Sequence, residues 1–136
     1  MNDACEFCRI IDGEQPAHVL AEDELTIAFL DRNPAVRGHT LVAPRAHESE
    51  VLTSDHPSAA AVFETARTVA SALEAVLEPD GFSVFHTTGS LVGSVDHAHV
   101  HLVPRFDDDD VTLSLARRPL DSEEATALAT QVRTVV

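Results

Sequence analysis

His97-Ala98-His99-Val100-His101-Leu102-Val103 sets three histidines at i, i+2 and i+4, with apolar residues between them and Pro104-Arg105 behind. Side chains alternate across a β-strand with a period of two. A strand here therefore sends all three imidazoles to one face and Ala98, Val100 and Leu102 to the other. In a helix, steps of two residues turn successive imidazoles by roughly 200° and scatter them. The stretch predicts a strand with one packed face and one imidazole face. Positions in line and about 6–7 Å apart per step cannot all ligate one metal ion, so at most one or two of the histidines share one. The others are free for nucleophilic or proton-transfer chemistry, for which an imidazole titrating near neutrality is suited.

Upstream, His18 to Ala21 and Leu25 to Leu30 are short apolar runs split by Glu22-Asp23-Glu24, the pattern of a β-hairpin. Asp31-Arg32-Asn33-Pro34 reads as a turn, and Gly38-His39 leads into Thr40-Leu41-Val42-Ala43, a third strand closed by Pro44. Between Asp55 and Leu77 the apolar period changes to about 3.6, with Val62, Ala66, Val69, Ala70, Leu73 and Val76 to Leu77 on one stripe, Pro57 in the first turn and Ser54 or Asp55 as the cap. Phe82 to Phe85 is a fourth strand and the histidine stretch a fifth. Asp107 to Asp110 reads as a solvated turn. Asp121-Ser122-Glu123-Glu124 opens a closing helix, and Ala4 to Ile11 reads as a short first one stopped at Gly13. The expected fold is α+β: an antiparallel sheet of about five strands, one main helix on it, and short helices at each end. It is a single domain over 1–136, with its core at about 5–105 and an extension with a helix at 106–136.

The 136 residues carry a net charge of −14, nine arginines and no lysine. Excess carboxylates repel phosphate backbones, so no nucleic-acid partner is expected. An acidic, lysine-free, aromatic-poor surface suits a cytoplasm rich in salt and predicts a halophilic protein. Neither an 18-residue apolar run nor a basic hydrophobic leader is present, so the expectation is a cytoplasmic protein away from membranes. Cys5-x2-Cys8 alone is a weak zinc signal, since a second ligand pair has to come from elsewhere.

The stretch resembles the His-φ-His-φ-His-φ-φ signature of the histidine triad (HIT) superfamily, φ being apolar. The resemblance extends through Phe7-Cys8-Arg9-Ile10-Ile11-Asp12-Gly13, Ala28-Phe29-Leu30-Asp31 and Gly38-His39-Thr40-Leu41-Val42-Ala43-Pro44, covering about residues 5 to 105. It is similar in particular to Hint-like members from bacteria and archaea. That resemblance implies a nucleotide phosphoramidase or hydrolase acting at the α-phosphate of nucleoside monophosphate conjugates through a covalent nucleotidyl-histidine. It makes His99 the nucleophile, His101 the partner that contacts phosphate and helps the leaving group, and His39 a support for the triad. Asp31 would bind ribose hydroxyls, Phe29 and Arg32 would line the base pocket, and Ser94 would touch phosphate. The same resemblance implies a structural zinc held by Cys5, Cys8, His47 and His97, a purine nucleotide substrate and a homodimer.

Two departures from the family pattern stand out. His86, or Thr87 if a one-residue gap intervenes, occupies a place eleven residues before the first triad histidine where Asn or Gln is usual, and from there His86 could donate to a phosphate. Val92-Gly93 replaces the common Gly-Gln pair, removing one amide donor. The alternatives are a dinucleoside polyphosphate hydrolase, a non-catalytic nucleotide-binding regulatory protein, or a metal buffer resting on the Cys and His count alone.

Overall fold

A computed structural model describes residues 5–89 and 96–136, so Ser94, Val92 and Gly93 lie outside the described residues. In chain order the elements are α1 (Glu6–Ile11), β1 (Val19–Glu22), β2 (Thr26–Leu30), β3 (Thr40–Pro44), α2 (Pro57–Leu77), β4 (Gly81–Phe85), β5 (Val100–Arg105) and α3 (Ser122–Arg133). The five strands form one antiparallel sheet in the order β1-β2-β3-β5-β4. The expected α+β architecture is the one observed.

The period-two reading of the strands divides the molecule into two layers. Ala28, Val42, Val100 and Leu102 point to one face and pack against Val62, Ala66, Val69 and Leu73 of α2. Their neighbours Ile27, Phe29, Leu41 and Ala43 point to the other face, where Phe7 and Ile10 of α1 cover them. Thr26 and Thr65 share a hydrogen bond of 2.6 Å between sheet and helix, which satisfies both buried hydroxyls. Gly38, at φ +94°, lies in the turn before β3, where a Cβ would meet Leu77 Cδ1 at 2.7 Å and Pro104 Cγ at 3.0 Å. Both backbone conformation and close approach therefore require glycine beside His39.

Three local expectations are corrected. The histidine stretch is not strand throughout: pairing with β3 begins at Val42↔Val100, so His97 and His99 precede the ladder. Alternation still holds across it, because Ala98 is buried in the α2 layer. The N-cap of α2 is His56, whose side chain accepts from Ser58 N–H, rather than Ser54 or Asp55. The run 107–110 is not uniformly solvated, since the Asp109 carboxylate takes bonds from Arg105 Nε at 2.7 Å and from the amides of Phe106 and Val111. That set of donors holds its carboxyl far below the usual range, the Arg105 bond contributing most.

Candidate functional site

Which ring nitrogen of each histidine carries the proton follows from its partner, because a backbone carbonyl only accepts and a backbone amide only donates. His97 Nε2 lies 2.7 Å from Pro44 O and His99 Nδ1 lies 2.8 Å from His97 O. Each of those nitrogens therefore holds a hydrogen. Neutral His97 is left with a bare lone pair on Nδ1, and neutral His99 with one on Nε2. Sequence cannot assign these tautomers, since both acceptors are main-chain oxygens.

The lone pair of His97 meets the first cluster. Its Nδ1 is 3.5 Å from both Cys5 Sγ and Cys8 Sγ, and His47 Nδ1 is 3.2 Å from Cys8 Sγ. Ligands held at about 2.0 Å for nitrogen and 2.3 Å for sulfur around a tetrahedral ion stand roughly 3.5 Å apart, so these four side chains fit such an ion. Cys5 caps α1 by accepting from Cys8 N–H, which folds the C-x2-C into one turn. Desolvation by burial, then the neighbouring Cys5, push the Cys8 thiol up to about 11; a cation in the cluster would reverse that.

The second cluster joins Asp31, His39 and His101. Ala35 N–H donates to His39 Nδ1 at 3.0 Å, so neutral His39 carries its proton on Nε2. That nitrogen is 2.9 Å from His101 Nδ1 and 3.6 Å from Asp31 Oδ2. His101 Nδ1 then accepts, and its own proton sits on Nε2. The hydrogen-bond directions make this a proton chain, Ala35 to His39 to His101, with the Asp31 carboxylate as nearby counter-charge. Phe85 stacks on His101 with centroids 4.4 Å apart and planes 14° apart, and fixes its ring.

His99 and His101 open onto a cavity of about 850 Å³ that Phe29, Asp31 and Arg32 also line. Its size is that of a small-ligand site. Phe7 and Ile10 of α1 and Leu41 supply apolar wall, and Glu6, Gln15 and Asn33 add polar groups that sequence reasoning did not assign. Phe7 stands edge-on to His99 at 5.0 Å. Nothing in the pattern of α1 announces that contact, which depends on how the helix docks on the sheet. Arg32 reaches Glu6 Oε1 at 3.1 Å, both residues lining the cavity. His39 stands behind His101 and His86 behind His99, neither of them lining the cavity.

Burial disfavours charge on the His39, His97, His99 and His101 rings. It lowers the proton affinity of His39, His97 and His99, and carries His101 down to about 4, with His99 and His39 adding to the effect. Folding thus favours a neutral His101. The stability it contributes is complete above the ordinary imidazole value of about 6.5 and is lost as pH falls through about 4. Below that value a second proton on His101 Nδ1 would face the Nε2–H of His39 and break the chain. The thermal unfolding midpoint should therefore fall as pH drops from about 6.5 to about 4; a midpoint that stays level over that range would refute this assignment.

The family model described as HIT domain matches residues 12–108. The chain is 30% identical over 131 residues to the adenosine 5'-monophosphoramidase hnt1 of Schizosaccharomyces pombe, covering 95% of this chain and 96% of that protein. The crystal structure of a HIT family protein from Bacillus anthracis superposes with a TM-score of 0.88 at 31% identity, over 100% of this chain and 99% of that one. A zinc-bound histidine triad family protein from Mycobacterium smegmatis superposes with a TM-score of 0.74 at 32% identity, over 96% and 97% of the two chains. Among the described residues no helix is long and apolar enough to cross a membrane.

Proposed function

The chain belongs to the HIT family, and from that premise we propose that it hydrolyses purine nucleoside monophosphate conjugates, phosphoramidates above all, through a nucleotidyl-His99 intermediate. The observation that carries this reading is the fixed tautomer of His99. Its Nδ1–H is tied to His97 O at 2.8 Å, which leaves the Nε2 lone pair bare in a ring that lines the cavity. A neutral, oriented imidazole is an available nucleophile toward phosphorus and a fair leaving group from it.

In the first step His99 Nε2 forms a bond to the α-phosphorus while the bond from phosphorus to the leaving nitrogen breaks. That nitrogen departs with a proton from the His39–His101 pair. The anionic phosphate and Asp31, 3.6 Å from His39 Nε2, favour an extra proton on that pair. In the second step water attacks phosphorus, the bond to Nε2 breaks, and the proton that water loses restores the pair. Net consumption is one water per conjugate. Asp31 accepts from ribose hydroxyls, and Phe29 and Arg32 flank the base. The test is AMP release from adenosine phosphoramidate by the purified protein; nucleotide binding without turnover or adduct would favour the regulatory alternative.

The donor set Cys5, Cys8, His47 and His97 supports a structural zinc, which would supply a fixed junction between α1 and the start of the histidine stretch. A homodimer is supported by the sheet edge. β4 is a free edge strand with Val84 and Phe85 exposed, and α3 buries no residue although it carries Leu128 and Val132. A second copy along β4 would cover Val84 and Phe85 and continue the sheet. Sedimentation of the metal-loaded protein as a single-chain species would withdraw the dimer.

A further inference from the structure

We infer that His86 is a positioning residue that fixes the nucleophile from behind, an inference that rests on the reading of His99 above. Its Nδ1 is 2.9 Å from His99 O, so it donates there, and its Nε2 accepts from Val51 N–H at 3.3 Å. Both ring nitrogens of the neutral side chain are thus spent on main-chain groups. The ring does not line the cavity and has no donor left for a phosphate, the role that its place in the sequence suggested.

The reason such a brace is needed lies in the ladder. β5 pairs with β4 only up to Phe85↔His101 and with β3 only up to Val42↔Val100, so His99 stands just outside the regular hydrogen bonding. The His86 ring takes the place that a neighbouring strand's amide would otherwise hold on His99 O. Successive residues thereby serve successive histidines: the Phe85 ring stacks on His101, and the His86 ring holds His99. On the other side Ala98 N–H donates to Glu48 O at 2.7 Å. The segment that bears Glu48 and Val51 therefore grips the histidine stretch directly and again through His86. Loss of the brace would let the His99 peptide turn, weaken the Nδ1–H bond to His97 O, and blur the aim of Nε2.

Three variants separate the possibilities. Asn can present an N–H where His presents Nδ1–H, whereas Gln reaches instead to the Nε2 position. With adenosine phosphoramidate, His86→Ala and His86→Gln should lose kcat roughly 10- to 100-fold with KM within about twofold, while His86→Asn stays near wild type. A rise in KM with kcat unchanged would make His86 a phosphate contact and overturn the inference, as would full activity in His86→Ala. Should His86→Ala fail to fold, the contrast between the Asn and Gln variants decides. The ¹⁵N shifts of the His99 ring give a readout independent of turnover: one tautomer is expected in wild type and His86→Asn, and a mixture in His86→Gln. An unchanged single tautomer in His86→Gln would overturn the inference even if no variant, wild type included, turned over substrate.

Discussion

His99→Ala should abolish nucleotidyl transfer, lowering kcat/KM on adenosine phosphoramidate by about 10⁴-fold or more, because the bond-forming atom itself is removed. Intact mass after brief mixing should reveal an adenylyl adduct on wild type and none on the variant. Nucleotide affinity should change little, since Phe29, Asp31, Arg32 and the α1 wall of the cavity remain. That separation of binding from chemistry is what distinguishes a nucleophile from a wall residue. Turnover that survives His99→Ala would mean direct attack by water, and the covalent route would fall. The substitution also has a modest structural side, because His99 packs against Phe7 and His101 at centroid distances of 5.0 and 5.1 Å. His99→Asn keeps a side-chain donor in place of Nδ1–H and serves as the control for that loss.

Cys5→Ser should reduce bound zinc from one ion per chain to none and lower the melting temperature by roughly 10 °C or more. A metal present at a thousandfold its Kd contributes about 4 kcal/mol to the folded state, and in a chain of this size each kcal/mol moves the midpoint by several degrees. Helix α1 spans only six residues, too few to persist unaided. It is held by Phe7 and Ile10 on the sheet and by the cluster that joins Cys5 and Cys8 to His97 and His47. Nucleotide affinity should weaken as well, because the same helix supplies Glu6, Phe7 and Ile10 to the cavity. Chelation of the wild-type protein should reproduce both effects. Equal metal content in wild type and Cys5→Ser would remove the proposed ligand set.

The amino-acid sequence by itself determined that three imidazoles share one face. Alternation is a property of the extended backbone and survives even where His97 and His99 leave the ladder. It likewise determined the stripe of α2, because burial on one side of a helix imposes a 3.6-residue period that can be read locally. The cap of α2 was less legible: Ser54, Asp55 and His56 are adjacent polar residues, and small differences in chain direction decide which one caps. Only the tertiary structure brought Cys8 within 3.2 Å of His47 and 3.5 Å of His97, partners 39 and 89 residues away. Neither could spacing along the chain disclose that Phe7 faces His99 or that His86 bonds to the main chain of His99 and Val51. Above all, the bare lone pairs of His97 and His99 and the direction of the His39–His101 bond depend on Pro44 O, His97 O and Ala35 N–H. Main-chain groups are identical at every residue, so the side-chain sequence supplies the imidazoles while the fold alone decides which of their nitrogens is left free to react.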